Sequence, residues 1–228
     1  MTGTLTELAL AAALFVASHV LISGTRLRGR LVGMTGEKPF QAAFSALSLL
    51  LLWWLIQAYR GAPHVGLWET DVGVRHGAMA VMAVACVLVA AGFSLTSPTG
   101  VGAGDGLKAP TGIIKVTRHP VMWGIGLWAL VHMAANRDAA GIILLGAMAV
   151  LAFAGALSID AKKRRLMGEE WTRFAAQTSF VPFAALIGGR TCLSAREIGF
   201  WRPVAGLALF AGLYLAHEPV IGVSPLAP

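Results

Sequence analysis

Charge is scarce in this sequence. Asp, Glu, Lys and Arg make up 13% of the 228 residues, against roughly 25% in an ordinary soluble domain. So little charge does not coat a water-exposed globule of this length. Cysteine is nearly absent as well. Cys86 lies in an apolar run and Cys192 in a basic one, with no C-x-x-C spacing, so neither a disulfide framework nor a cysteine metal site is expected. The glycines follow no triplet period, which excludes collagen. What abounds is apolar side chain: 57% of residues are hydrophobic and mean hydropathy is +0.71. The class left standing is an integral membrane protein, with residues 1–228 as a single domain.

Six apolar stretches, 5–22, 40–58, 77–95, 121–135, 139–159 and 203–223, approach the roughly 20 residues that carry a helix across a bilayer. The pattern predicts an all-α, polytopic membrane helix bundle of about six transmembrane helices. The fourth stretch is short unless 112–116 (GIIKV) extends it; the alternative is five helices with an interfacial fourth segment. The first stretch follows no Lys or Arg, carries Glu7 and has no cleavage site ahead of Arg26, so it reads as a helix rather than a signal peptide. Residues 96–110, rich in Gly, Pro, Ser and Thr, read as a flexible loop. Met167, Trp171 and Phe174 recur at i, i+4, i+7 among Lys, Arg, Glu169 and Glu170. That spacing predicts an amphipathic cytoplasmic helix, lying on the inner membrane surface or packed on its own bundle.

The balance of 18 Lys+Arg against 11 Asp+Glu gives +7. In a membrane protein such an excess faces anionic headgroups and sets orientation, so a lipid bilayer is the expected partner and nucleic acid is not. Arg26, Arg28, Arg30, Lys38, Lys108, Lys115, Arg118 and eight more between 160 and 202 fall in the odd-numbered loops, 15 in all. Only Arg60, Arg75 and Arg137 fall in the even ones. The asymmetry places the odd loops in the cytoplasm and both termini on the far side, periplasmic if the membrane is a bacterial inner membrane.

Ionisable residues at membrane depth are expensive and mark functional sites by default. His64 and His76 fall in an external loop and read as solvated surface. His19 and His132 fall inside the first and fourth stretches, where a neutral imidazole is either a metal ligand or hydrogen-bonded to a nearby carbonyl. Counting back from Arg26 puts His19 roughly 10 Å inside the boundary, and counting on from His119 puts His132 roughly 20 Å away from it. The two reach comparable depth if His119 stands outside the hydrocarbon, and are roughly 10 Å apart if it stands at the edge. His217, near the outer end of the sixth stretch and followed by Glu218 and Pro219, reads as an interfacial cap, or as a ligand if His19 fails that test. A second cluster opens the fourth helix: Arg118-His119-Pro120, with Pro at the first helical position and Gly124 a turn later. Positive charge at a helix N-terminus suits an anion, and Asp160 is the expected partner of Arg118 or His119.

These residues sit in a recognisable pattern. Ser18-His19 with Ser23-Gly24, Gly36-Glu37-Lys38, Leu67-Trp68, Gly112-Ile113, Thr117-Arg118-His119-Pro120, Trp128 to His132, Thr178-Ser179, Pro182 to Ala185, Gly189-Arg190 and Ala216-His217 together resemble the NnrU family, which includes relatives of zeta-carotene isomerase. The resemblance implies haem b held by His19 and His132 as metal ligands. It also implies a role in nitrogen-oxide-linked metabolism such as denitrification, with nitric oxide as ligand, or redox-dependent isomerisation of an apolar small molecule such as a carotenoid. Those relatives carry a further His in the fifth helix, where this chain has only apolar and small residues over 147–156. A looser similarity is to integral membrane methyltransferases of the isoprenylcysteine and phospholipid type. Their R-H-P-x-Y-x-G element matches Arg118, His119, Pro120 and Gly124, with Met122 in place of Tyr. That similarity implies S-adenosylmethionine bound at Arg118, His119 and Asp160. A non-enzymatic membrane accessory subunit is the remaining alternative.

Overall fold

The computed structural model describes residues 3–94 and 109–226. Within them the regular structure is helical; an isolated antiparallel bridge, Gly66 with Asp138, is the one β-type pairing among the described residues. Helix α1 (Leu5–Ala17) runs into a π-helical turn (Ser18–Ser23), followed by α2 (Arg26–Thr35), α3 (Glu37–Gly61) and α4 (Val72–Phe93). Then come α5 (Ile113–Val116), α6 (Pro120–Asn136), α7 (Ala139–Met167), α8 (Glu169–Ala176), α9 (Ala184–Ile187), α10 (Ala195–Ile198) and α11 (Trp201–Ile221). Several helices start where a short polar side chain caps a free N–H. Thr4 accepts from the Glu7 amide, Asp71 from Val74 and Asp138 from Gly141, each near 3 Å.

Among the described residues, five helices are long and apolar enough to cross a membrane: Leu5–Ser23, Glu37–Gly61, Val72–Phe93, Ala139–Met167 and Trp201–Ile221. The sixth expected span is α6, with 17 residues, the lower limit for crossing. It packs between α4 and α7 rather than lying at an interface. The 112–116 segment does not extend it. Pro120 disfavours helical backbone at His119, the chain is extended at Thr117 (φ −151°, ψ 141°), and α5 stands apart. The expected loop 96–110 lies outside the described residues except for 109 and 110.

Packing follows membrane rules, in which small residues let helices approach. Ala11, Ala12, Ala58, Ala91, Ala129, Ala140, Ala149, Ala152 and Ala156 are all buried, while Leu49, Leu50, Trp53, Leu157 and Leu215 face outward as a lipid-facing surface requires. A Cβ on Gly206 would lie 2.4 Å from the Val87 Cα, and one on Gly124 2.8 Å from the Ala85 carbonyl oxygen. α4 is therefore the platform for both α6 and α11. α1 packs instead on α3 and α7, so α7 separates it from α6.

The amphipathic pattern over 167–174 is split by Gly168 at φ +52°: Met167 ends α7, while Trp171 and Phe174 lie on α8, and the alternatives left open for it resolve. Trp171 (1% exposed) and Phe174 (4%) are buried against Leu88, Ala91, Ile113, Ile114 and Val116. The apolar face of α8 is spent on its own bundle, not on the membrane surface.

Candidate functional site

The first cluster lies at the basic end of the bundle. Arg118 directs Nε (2.8 Å) and Nη2 (2.5 Å) to Asp160 Oδ2. His119 Nε2 lies 2.6 Å from Asp160 Oδ1. Both expected partners of Asp160 are thus realised. The His119 side chain is fully buried and those of Asp160 and Arg118 nearly so. The carboxylate needs a hydrogen on His119 Nε2, and His119 Nδ1 is buried without a partner among the described residues. Segment 178–183 fastens this corner. Its Phe180 carbonyl accepts from Thr117 Oγ1 and Trp123 Nε1, both at 2.8 Å, and its Ser179 carbonyl accepts from the Arg118 amide at 3.0 Å. Arg190 Nη1 donates to the Ala175, Ala176 and Thr178 carbonyls. Nearby, Lys115 Nζ sits 2.8 Å from Glu197 and also donates to the Cys192 carbonyl. The hydrogen bond from Lys115 holds the Glu197 carboxyl below the usual carboxylate range. Each Asp160 oxygen already takes a donor from within the protein, so the corner is a closed ionic lock more than an open receptor.

The second set is the intramembrane histidines. His19 stands on the π turn, whose register shift is closed by the Gly24 amide bonding to the His19 (3.2 Å) and Val20 (3.1 Å) carbonyls. Such bulges gather at functional sites, and nothing in the sequence announces this one. His19 Nδ1 donates to the Phe15 carbonyl (2.8 Å), and its ring meets Phe15 and Phe44. His132 Nδ1 donates to the Trp128 carbonyl (2.9 Å), and its ring faces His217 with centroids 6.3 Å apart. His217 Nδ1 donates to the Val223 carbonyl (2.6 Å). A carbonyl only accepts, so in all three a hydrogen is on Nδ1, which leaves Nε2 as the ring atom open to a ligand. His64 and His76 are exposed, as expected for surface residues.

Register along α7 fixes the levels. Gly24 meets Ser158, and Gly126 meets Phe153. Counting from those contacts, His19 is level with Phe153, while His132 lies six residues, roughly 9 Å, further from the basic end. That is the separation at which the depth argument from sequence stops favouring a shared iron.

Sequence reasoning passed over the frame around His132. Residues 65–68 zip onto 134–139: the Leu67 amide donates to the Arg137 carbonyl (2.8 Å), the Ala139 amide to Val65 (2.9 Å), and Trp68 Nε1 to Ala134 (3.1 Å). The Leu67-Trp68 pair was a visible signal whose purpose was not.

A family model described as NnrU protein matches residues 7–225. The chain belongs to the NnrU family. A 15-cis-zeta-carotene isomerase, chloroplastic, of Arabidopsis thaliana is 29% identical over 203 residues, covering 84% of this chain and 54% of that protein. The Zea mays protein of the same description is 32% identical over 110 residues, covering 47% of this chain and 30% of its own length. The NnrU chain thus spans about half or less of the curated relatives it matches. No solved structure is significantly similar to it.

Haem b, which the resemblance to NnrU proteins implies, is testable against the donor set. Among the described residues no group of three or more His, Cys, Asp or Glu is placed to hold a metal ion. A bare divalent ion such as zinc takes four ligands; a porphyrin iron needs only one or two axial ones. Isolated imidazoles with Nε2 free fit the second requirement and not the first.

Proposed function

We propose that this NnrU protein is a membrane isomerase that acts on a long apolar polyene of the carotenoid class, with haem b held in the bundle through His132. The observation that carries the reading is the match of 84% of the chain to a 15-cis-zeta-carotene isomerase, a name that belongs to that protein and is transferred here as a proposal. His132 Nε2 is the donor best prepared, with Nδ1 tied to the Trp128 carbonyl and the helix end pinned by Trp68. Haem b, when bound, would supply an iron able to change oxidation state and exchange a ligand. The chain's own residues hold and orient. His132 and either His19, the pairing implied by resemblance, or His217 offer imidazoles, and the apolar surfaces of α6 and α11 keep water from the substrate. The nitrogen-oxide role rests on the same His132 site, with nitric oxide in place of a polyene.

Location belongs to the same proposal: a bacterial inner membrane, with the basic end in the cytoplasm and both termini outside, supported by the 15-to-3 loop asymmetry. The test of function supplies reduced, haem-loaded protein in lipid with 15-cis-zeta-carotene and separates the isomers by chromatography. Conversion in the wild type and its loss in His132→Ala support the reading; no conversion by loaded, reduced wild type rejects isomerisation. The methyltransferase reading draws on the buried Arg118–Asp160–His119 corner, whose carboxylate is already engaged. It predicts calorimetric binding of S-adenosylmethionine that Arg118→Ala weakens.

A further inference from the structure

We propose that α2 lies in the plane of the membrane at the basic end of the bundle, with Leu27, Leu31 and Met34 in the lipid and Arg26 and Arg30 holding the phosphate of an anionic phospholipid headgroup. The proposal is independent of the isomerase reading and of any cofactor.

Chain connectivity sets the level of α2. It leaves the span Leu5–Ser23 and leads back into the span Glu37–Gly61, so it starts and ends at one bilayer surface. Its ten residues are roughly 15 Å long. Both ends are fixed. Thr25 Oγ1 accepts from the Leu27 amide (3.1 Å), and Gly36, at φ +87°, supplies the turn into α3. The Arg28 guanidinium pairs with Glu37 and lies 5.4 Å from the centre of the Phe40 ring, which sets the rotation of the helix. At helical spacing Leu27, Leu31 and Met34 share one side, Arg26 and Arg30 flank it, and Gly29 and Gly33 lie opposite. α2 packs on the π turn and on α3, yet none of its residues is buried. Leu27 is 41% exposed and Met34 82%. A Cβ on Gly29 or Gly33 meets nothing within 4 Å. The apolar stripe of α8 is spent on the bundle; that of α2 is not.

Charge decides what covers this face. No Asp or Glu occurs between Glu7 and Glu37, and Glu37 is already engaged by Arg28 and by Gln41 (2.7 Å). Arg26 and Arg30, one turn apart, have no hydrogen-bond or ion-pair partner among the described residues. A guanidinium presents a fork of donors that matches a phosphate, and basic segments beside a span draw anionic lipid. Leu and Met flanked by Arg therefore fit a phospholipid twice over, acyl chain against the stripe and headgroup against the arginines. A second copy docked symmetrically by this face would set arginine against arginine.

The test uses the full-length protein in vesicles of phosphatidylcholine with a minor share of phosphatidylglycerol. A fluorophore is attached at Met34→Cys, or at Gly33→Cys on the opposite side, in a Cys192→Ser background. The quencher is bromine on the chains of one lipid or the other, or iodide in the water on both sides. Bromolipid should quench the Met34→Cys probe and iodide should not; the Gly33→Cys probe should do the reverse. Brominated phosphatidylglycerol should quench the first probe more than an equal share of brominated phosphatidylcholine, with a local enrichment of about fivefold per arginine at low salt. Arg26→Gln combined with Arg30→Gln should abolish that excess while phosphatidylcholine still quenches, which shows that the helix stays in place. Equal quenching by the two lipids with both arginines present overturns the headgroup site. Loss of the excess on adding inorganic phosphate, but not chloride of equal ionic strength, assigns the arginines to a soluble anion and overturns the lipid. A Met34→Cys probe reached by iodide, or by neither quencher, overturns the in-plane placement: water covers the face in the first case and protein in the second.

Discussion

At the residue scale, Asp160 carries the most weight. Its two oxygens take Arg118 and His119 in a nearly dry corner, and removing one member of a buried ion pair typically costs about 3–5 kcal/mol. Asp160→Ala should therefore lower the thermal midpoint in detergent sharply, while Asp160→Asn, which keeps an acceptor, should fall less; equal losses would mean that shape rather than charge holds the corner. Glu197 makes a milder, pH-dependent contribution. Its folded carboxyl is held below the usual range by Lys115, so the stabilisation is complete above the unfolded value of about 4.3 and is lost as pH falls through the lower folded value. Replacing Lys115 with Met should flatten that acid limb of a stability profile; an unchanged limb would assign it elsewhere. Asp160 was legible as a partner of Arg118 or His119 because a carboxylate at a helix's charged end has few other fates. The unpartnered Nδ1 of His119 was not, since no spacing rule reports what a buried ring atom fails to touch.

Helix contacts explain more than helix propensity does at the next scale up. Gly206 and Gly212 look alike in sequence, yet a Cβ on Gly206 would run into the Val87 backbone at 2.4 Å while one on Gly212 meets nothing within 4 Å. Overpacking of this kind costs about 1–3 kcal/mol, so Gly206→Ala should destabilise by that much and Gly212→Ala not at all. Equal effects in unfolding experiments would contradict the placement of α11 on α4. Spans were readable because long apolar runs have one solution in a bilayer. Their ends were not: α7 continues from residue 159 to Met167 through Lys162, Lys163, Arg164 and Arg165, since Lys and Arg are good helix formers that a hydropathy criterion ignores. The ten-residue α2 was missed for the same reason. The spacing of Met167, Trp171 and Phe174 predicted a helix but neither the break at Gly168, which leaves Met167 on α7, nor the helix's neighbour, because an apolar stripe fits lipid and protein equally well.

For the whole molecule, orientation and cofactor are the claims at stake. Cys192 is exposed at the basic end and Cys86 is buried, which makes a natural topology probe. A membrane-impermeant thiol reagent should label Cys192 in inverted vesicles and leave it unlabelled in intact spheroplasts; the reverse pattern would invert the bundle. The cofactor claim has a more direct readout. Protein purified from haem-replete cells should carry an intense Soret band, with reduced α and β bands of a six-coordinate haem b, at close to one haem per chain. A colourless, folded protein would contradict the account at its centre.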